Sequence, residues 1–174
     1  MDIKKFAVIP LIIGVLALLI QVVDQLLMGL VPPAGNSGFG WIAFQSWALY
    51  FLAGCDIKGG IKVFLGYILG IVGSILIIEF GSAIVSALGF MAFPVAVGTV
   101  AFFIIFLERT TWLSLVPGIF IASGAFFAFM NYVPDATYCA AFTTEMIYAT
   151  IGLIFGVVTV TLRVAYEKSV NKEE

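Results

Sequence analysis

The sequence predicts an all-α, polytopic membrane protein with six transmembrane helices, and three observations predict it. The chain of 174 residues is 63% hydrophobic and only 10% charged, with a mean hydropathy of +1.19. A soluble domain carries about 25% charged residues, because its outer surface must face water. Apolar runs long enough for a bilayer core recur along the whole chain, separated by chemically plain breaks. Finally, six crossings place all eight Lys and Arg residues on one side of the membrane.

A hydrocarbon core of roughly 30 Å asks for about 20 apolar residues per helix. Six segments meet this, at about 6–30, 39–55, 61–80, 83–107, 112–130 and 142–165, and form one transmembrane domain over 1–174. The first follows Lys4 and Lys5 as a signal peptide would, but its apolar run is longer than a signal core and reads as a retained helix. VPPAGNSG at 31–38 is a Pro/Gly turn, CDIKGG at 55–60 is charged and glycine-rich, and LERTT at 107–111 carries adjacent opposite charges. NYVPDAT at 131–137 is polar around Pro134. The third break, at 80–82, is short and marked mainly by Glu79 and Gly81, but one helix over 61–107 would be too long for a single crossing.

On this topology Lys4 and Lys5, Lys58 and Lys62, Arg109, and Arg163, Lys168 and Lys172 share the face of the termini. The opposite face has no cation, a positive-inside asymmetry that predicts cytoplasmic termini in a multi-pass protein of a bacterial inner membrane. Asp2, Asp56, Glu108, Glu167, Glu173 and Glu174 accompany the inner cations; Asp24, Glu79, Asp135 and Glu145 lie at or near the outer face without one. An anionic outer mouth would concentrate cations; ordinary exposed acids on loop margins are the alternative. Cys55 and Cys139 fall on opposite faces, so no disulfide is expected between them.

Three helices per half make any 3+3 repeat an inverted one. Trp41 and Trp112 each open an aromatic segment, and Gly66/Gly70 and Gly152/Gly156 give the third and sixth helices a shared Gly-x-x-x-Gly pattern. Gly66, Gly70, Gly73 and Ser74 form one small-residue stripe and Gly152 and Gly156 another. Close helix approach is their default meaning, and one stripe is expected to serve a homo-oligomer contact. Pro94 inside AFPVAVG and Pro117 in LVPGIF are expected to kink their helices.

Candidate solute-path residues cluster toward the outer face. Gln21, Asp24 and Gln25 share one face of the first helix at i, i+3 and i+4, in the outer third of the bilayer. A carboxylate there is normally turned inward, to partners or water. In the second helix Phe44, Trp47, Tyr50 and Phe51 put large rings on one face, with Gln45 the amide inside the run. These rings either line a path or pack against neighbouring helices. Glu79 and Glu145 complete the set, with Tyr148 and Thr150 beside the latter.

WALYF followed by the Lys-Gly-Gly turn within 41–60, LSLVPGIFIASGAFFA at 113–128 and GLIFG at 152–156 resemble the YcdZ-like bacterial inner-membrane proteins, a domain family of unknown function. The resemblance covers the chain from about residue 38 onward and implies an integral inner-membrane protein with no catalytic residues.

The chain has no histidine, its cysteines are separated, and no Ser/Lys pair occurs at helical depth, so no enzyme, metal or cofactor is expected. No basic cluster suits nucleic acid. The expectation is a channel or facilitator in the lipid bilayer for a small polar or cationic solute of the urea, ammonium or guanidinium class. An ion- or proton-coupled carrier and a non-transporting scaffold or partner subunit are the alternatives.

Overall fold

A computed structural model describes residues 3–31 and 38–171, all helix and connecting turns. The Pro/Gly turn over 32–37 and the terminal charges Asp2, Lys172, Glu173 and Glu174 lie outside the described residues. One turn, α1 (Ile3–Phe6), leads into α2 (Val8–Leu27). Then come α3 (Gly40–Leu52), α4 (Ile57–Leu88), α5 (Ala92–Ile105), α6 (Val116–Tyr132) and α7 (Tyr138–Val170). The two longest helices are capped by their own sequence. Asp56 accepts from the Gly59 N–H at 2.6 Å to open α4, and Thr137 accepts from the Ala140 N–H at 3.2 Å to open α7.

Three stretches are long and apolar enough to cross a membrane, namely Ile3–Leu27, Ile57–Arg109 and Tyr138–Val170, with Val116–Tyr132 a shorter apolar helix. The chain is therefore an all-helical protein of membrane type. Ile57–Arg109 is two helices folded back on each other, because Gly81 of α4 packs against the Phe93 ring and Gly73 against Ile104 of α5.

The reversal is not at 80–82, where the sequence reading put it. Gly81 stays helical, which glycine tolerates at a modest cost. The chain turns at Gly89, whose φ of +53° suits a residue without a Cβ, and passes through the short 3-10 turn Gly89–Met91. This shift also corrects the proline reading. Pro94 is the third residue of α5 and Pro117 the second of α6, in first turns where no intrahelical hydrogen bond is lost. Both start helices and do not kink them.

Contacts at the helix ends show the chain alternating in direction. At one end Lys62 donates to Ser114 Oγ at 3.0 Å, the Lys58 ammonium sits 5.9 Å from the Trp112 ring centre, and Tyr166 donates to the Lys5 carbonyl at 2.6 Å. At the other end Tyr148 reaches Asp24, and the Tyr138 hydroxyl donates to Glu79 at 2.8 Å. Cys55 and Cys139 occupy opposite ends, in the α3–α4 turn and at the start of α7.

The most extensive packing joins α3 to α7 and α4 to α6, each pair running parallel. Glycines set both crossings. A Cβ on Gly70 would meet the Ile119 carbonyl at 2.5 Å, and one on Gly152 would run into the Ala43 carbonyl and Ser46 Oγ. Gly156 lies against the Tyr50 ring, and Gly66 against the Gly118 backbone. Serines tie the same crossings: Ser46 donates to the Ala149 carbonyl at 2.9 Å, and Ser123 to the Gly70 carbonyl at 3.0 Å. Both small-residue stripes are thus occupied within the chain, so neither is free for the subunit contact that the sequence assigned to one of them.

Candidate functional site

The aromatic face of α3 is the first feature to be relocated. Trp47 and Tyr50 are buried, with the indole N–H donating to Thr159 Oγ1 at 3.1 Å and Tyr50 lying over Gly156, both on α7. Phe44, stacked on Trp47 at 5.7 Å, and Phe51 point outward. The face is therefore filled by α7 rather than by solute space. On α3 the buried positions Ile42 and Leu49 share a side with Gln45 at i, i+3 and i+7. Gln45 turns its Oε1 into the protein, where it has no hydrogen-bond partner among the described residues.

The polar stripe of α2 is divided. Gln21 and Gln25 are exposed, although the Gln21 amide nitrogen approaches the space beside Gly40. Asp24 alone turns inward and is 6% exposed. It accepts a hydrogen bond from the Tyr148 hydroxyl at 2.7 Å, and its carboxylate fills the room that a Cβ on Gly38 would need. Gly40, the first residue of α3, lies alongside. Two glycines therefore bring the N-terminus of α3, with its unsatisfied N–H groups and partial positive charge, against this carboxylate. Asp24 is anchored.

Glu145 is not. It is 0% exposed, and neither carboxylate oxygen has a hydrogen-bond partner among the described residues. It stands one turn before Tyr148 on the buried face of α7, among Ala141, Thr144 and Ala149. Tyr67 of α4, fully buried, lies within electrostatic reach of Glu145 and donates to the Ile42 carbonyl at 3.4 Å. Glu79, by contrast, is exposed and already engaged by Tyr138.

A cleft of about 340 Å³ opens at the Asp24 end, lined by Gly38, Phe39, Trp41, Phe129, Tyr132 and Val133 among others. Phe39 is its inner wall. The ring stacks on Phe129 at 5.1 Å and meets Tyr148 edge-on at 5.9 Å, separating the cleft from the Asp24–Tyr148 pair. The volume falls within the range of small-molecule sites.

Sequence reasoning had named Asp24, Gln45, Glu145 and Tyr148 but missed Gly38, Phe39, Gly40 and Tyr67. For Tyr67 the available signal was its place within the Gly66/Gly70 stripe, which marks the inward face of α4. Gly38 and Gly40 flank the start of an aromatic helix, a spacing that signals close approach only once a partner is known.

A family model, described as a protein of unknown function (DUF1097), matches residues 10–165. The match takes in α2, which the resemblance read from the sequence had left out. No curated protein and no solved structure matches the chain. The chain belongs to the DUF1097 family.

Proposed function

We propose that this member of the family is a membrane carrier for a small cationic or polar solute. The solute enters at the cleft behind Phe39 and is bound at Glu145. The observation that carries this reading is Glu145 itself, a carboxyl fully buried with both oxygens unpartnered. Such a group is costly in a membrane protein and marks a solute or ion pathway. A carrier is preferred to an open channel because the ring face of α3 that would line a channel is packed against α7.

The helix pairing supports an inverted 3+3 repeat. Exchanging α2, α3 and α4 for α5, α6 and α7 turns the α3–α7 pair into the α6–α4 pair, and these two pairings are the most extensive in the fold. In each, a glycine meets a backbone carbonyl and a serine closes the crossing. Each half also has a short helix, Gly40–Leu52 or Val116–Tyr132, followed by one of 32 or 33 residues. Repeats of this kind underlie many carriers, with the binding site at their interface. Six crossings with cytoplasmic termini in a bacterial inner membrane and a homo-oligomeric assembly complete the proposal.

The test is uptake of radiolabelled methylammonium or guanidinium into proteoliposomes. The expected result is saturable uptake, reduced at least about tenfold in Glu145→Gln, a loss of about 1.4 kcal/mol or more in transition-state stabilisation. Absence of uptake for cations and for urea alike would sink the transport reading.

A further inference from the structure

Both carboxyl oxygens of Glu145 are buried without a hydrogen-bond partner among the described residues, and the Gln45 Oε1 on α3 is separately in the same state. A carboxylate oxygen and an amide carbonyl are acceptors only, so the missing partner is a donor. The described cations do not supply one. Lys62 and Lys58 lie at the opposite end of the fold against Ser114 and Trp112, and Arg163 pairs with Glu167 at 2.9 Å.

The titratable groups around Glu145 are few. α2 contributes Asp24 and α4 contributes Tyr67, with Glu79 further along and held by Tyr138; α7 itself adds Tyr148. On α3 the one titratable residue, Tyr50, lies further along against Gly156, and on α6 the one such group, Tyr132, is exposed. The segment 32–37 contains no titratable side chain. Glu145 lines neither the cleft beside Phe39 nor the apolar clefts along α4 and α7. Fully enclosed as it is, the carboxyl suits the smallest cation.

Resting on the carrier reading above, we infer that the ion held at Glu145 is a proton, and that this proton couples transport. In the closed arrangement the carboxyl is COOH. When the Phe39 ring swings off Phe129 and Tyr148, water enters from the cleft. The carboxyl O–H bond then breaks, the proton passes to that water, and both electrons of the bond remain on the carboxylate. A cationic solute takes the vacated position, so one positive charge replaces another and the site stays electroneutral.

The direct test is infrared spectroscopy of the full chain in lipid nanodiscs. A protonated-carboxyl band present at neutral pH should shift in D₂O, be lost in Glu145→Gln, move in Glu145→Asp and persist in Asp24→Asn. No such band, or a band unmoved by both Glu145 substitutions, overturns the inference. A sodium-dependent rise in melting temperature that Glu145→Gln abolishes would assign the site to a metal cation instead.

The second arm is proteoliposomes loaded with a pH dye and exposed to methylammonium chloride. Proton release coupled to entry should occur in wild type and vanish in Glu145→Gln. The Glu145 band without coupled proton movement leaves the proton site standing and removes the carrier. Coupled movement without the Glu145 band keeps the carrier and removes this site.

Discussion

Asp24 and Glu145 are both acidic side chains at the same end of the fold, yet their surroundings have opposite characters. Asp24 accepts from Tyr148, packs against Gly38 and faces the N-terminus of α3. Glu145, one helical turn from that same tyrosine, has no hydrogen-bond partner among the described residues. An acid with partners on three sides holds helices together, since removing it leaves a buried donor unsatisfied. One without partners contributes nothing to the fold that an amide would not. Position along a helix places both acids at the same end of the fold; only the neighbours tell anchor from site.

The sharpest way to break this contrast is to neutralise each acid and measure stability. Asp24→Asn should lower stability by about 1.5–3 kcal/mol, the range for a hydrogen bond to a charged group. Glu145→Gln should leave the melting temperature unchanged or raise it. Tyr148→Phe should cost about as much as Asp24→Asn, and the double mutant little more than either, because both remove one interaction. Additive losses in thermal unfolding, or a fall confined to the Glu145 variant, would reverse the two roles.

A somewhat smaller effect should come from Gly38→Ala. The new methyl group collides with the Asp24 carboxylate, and overpacking of this kind costs about 1–3 kcal/mol. Shortening the opposing side chain in Asp24→Ala should make the Gly38 substitution nearly free, readable in a double-mutant cycle. If the penalty persists without the carboxylate, Gly38 is constrained by something other than Asp24.

The smallest effect is expected at Gln25, which shares the sequence stripe with Asp24 but is exposed. Gln25→Leu should change stability by no more than about 0.5 kcal/mol and leave methylammonium uptake unaltered. A clear loss of uptake would restore the whole stripe to the solute path.

Much of the architecture was legible because breaks carrying Pro, charge or polar residues are chemically distinct from what a bilayer holds. The third break was not. Gly81 and Gly89 read alike in sequence, and only the backbone separates a glycine that continues a helix from one at positive φ. Placing the turn eight residues early then turned Pro94 from a helix starter into a kink. Glu145 was named but set at an outer mouth, since its neighbours Asp135 and Pro134 mark a loop nearby. The signal of burial lay on its other side: Ala141, Ala149 and Gly152 keep that helical face small, as close packing requires. Its lack of partners had no signature in the chain, because an absent contact is a property of four helices together.

The crossing at Gly152 acts as a key in a lock. The Ala43 carbonyl and Ser46 hydroxyl occupy the notch left by the missing side chain, and Ile151 or Leu153 could not take its place. The notch resists small slides of α7 along α3, and the Gly70 notch resists the same slip of α4 along α6. Small shear is resisted in both pairs. A working motion that respects both notches carries α3–α7 and α4–α6 as two stiff levers pivoting against each other, with Tyr67 at their junction, where it bonds to Ile42 from the opposite lever.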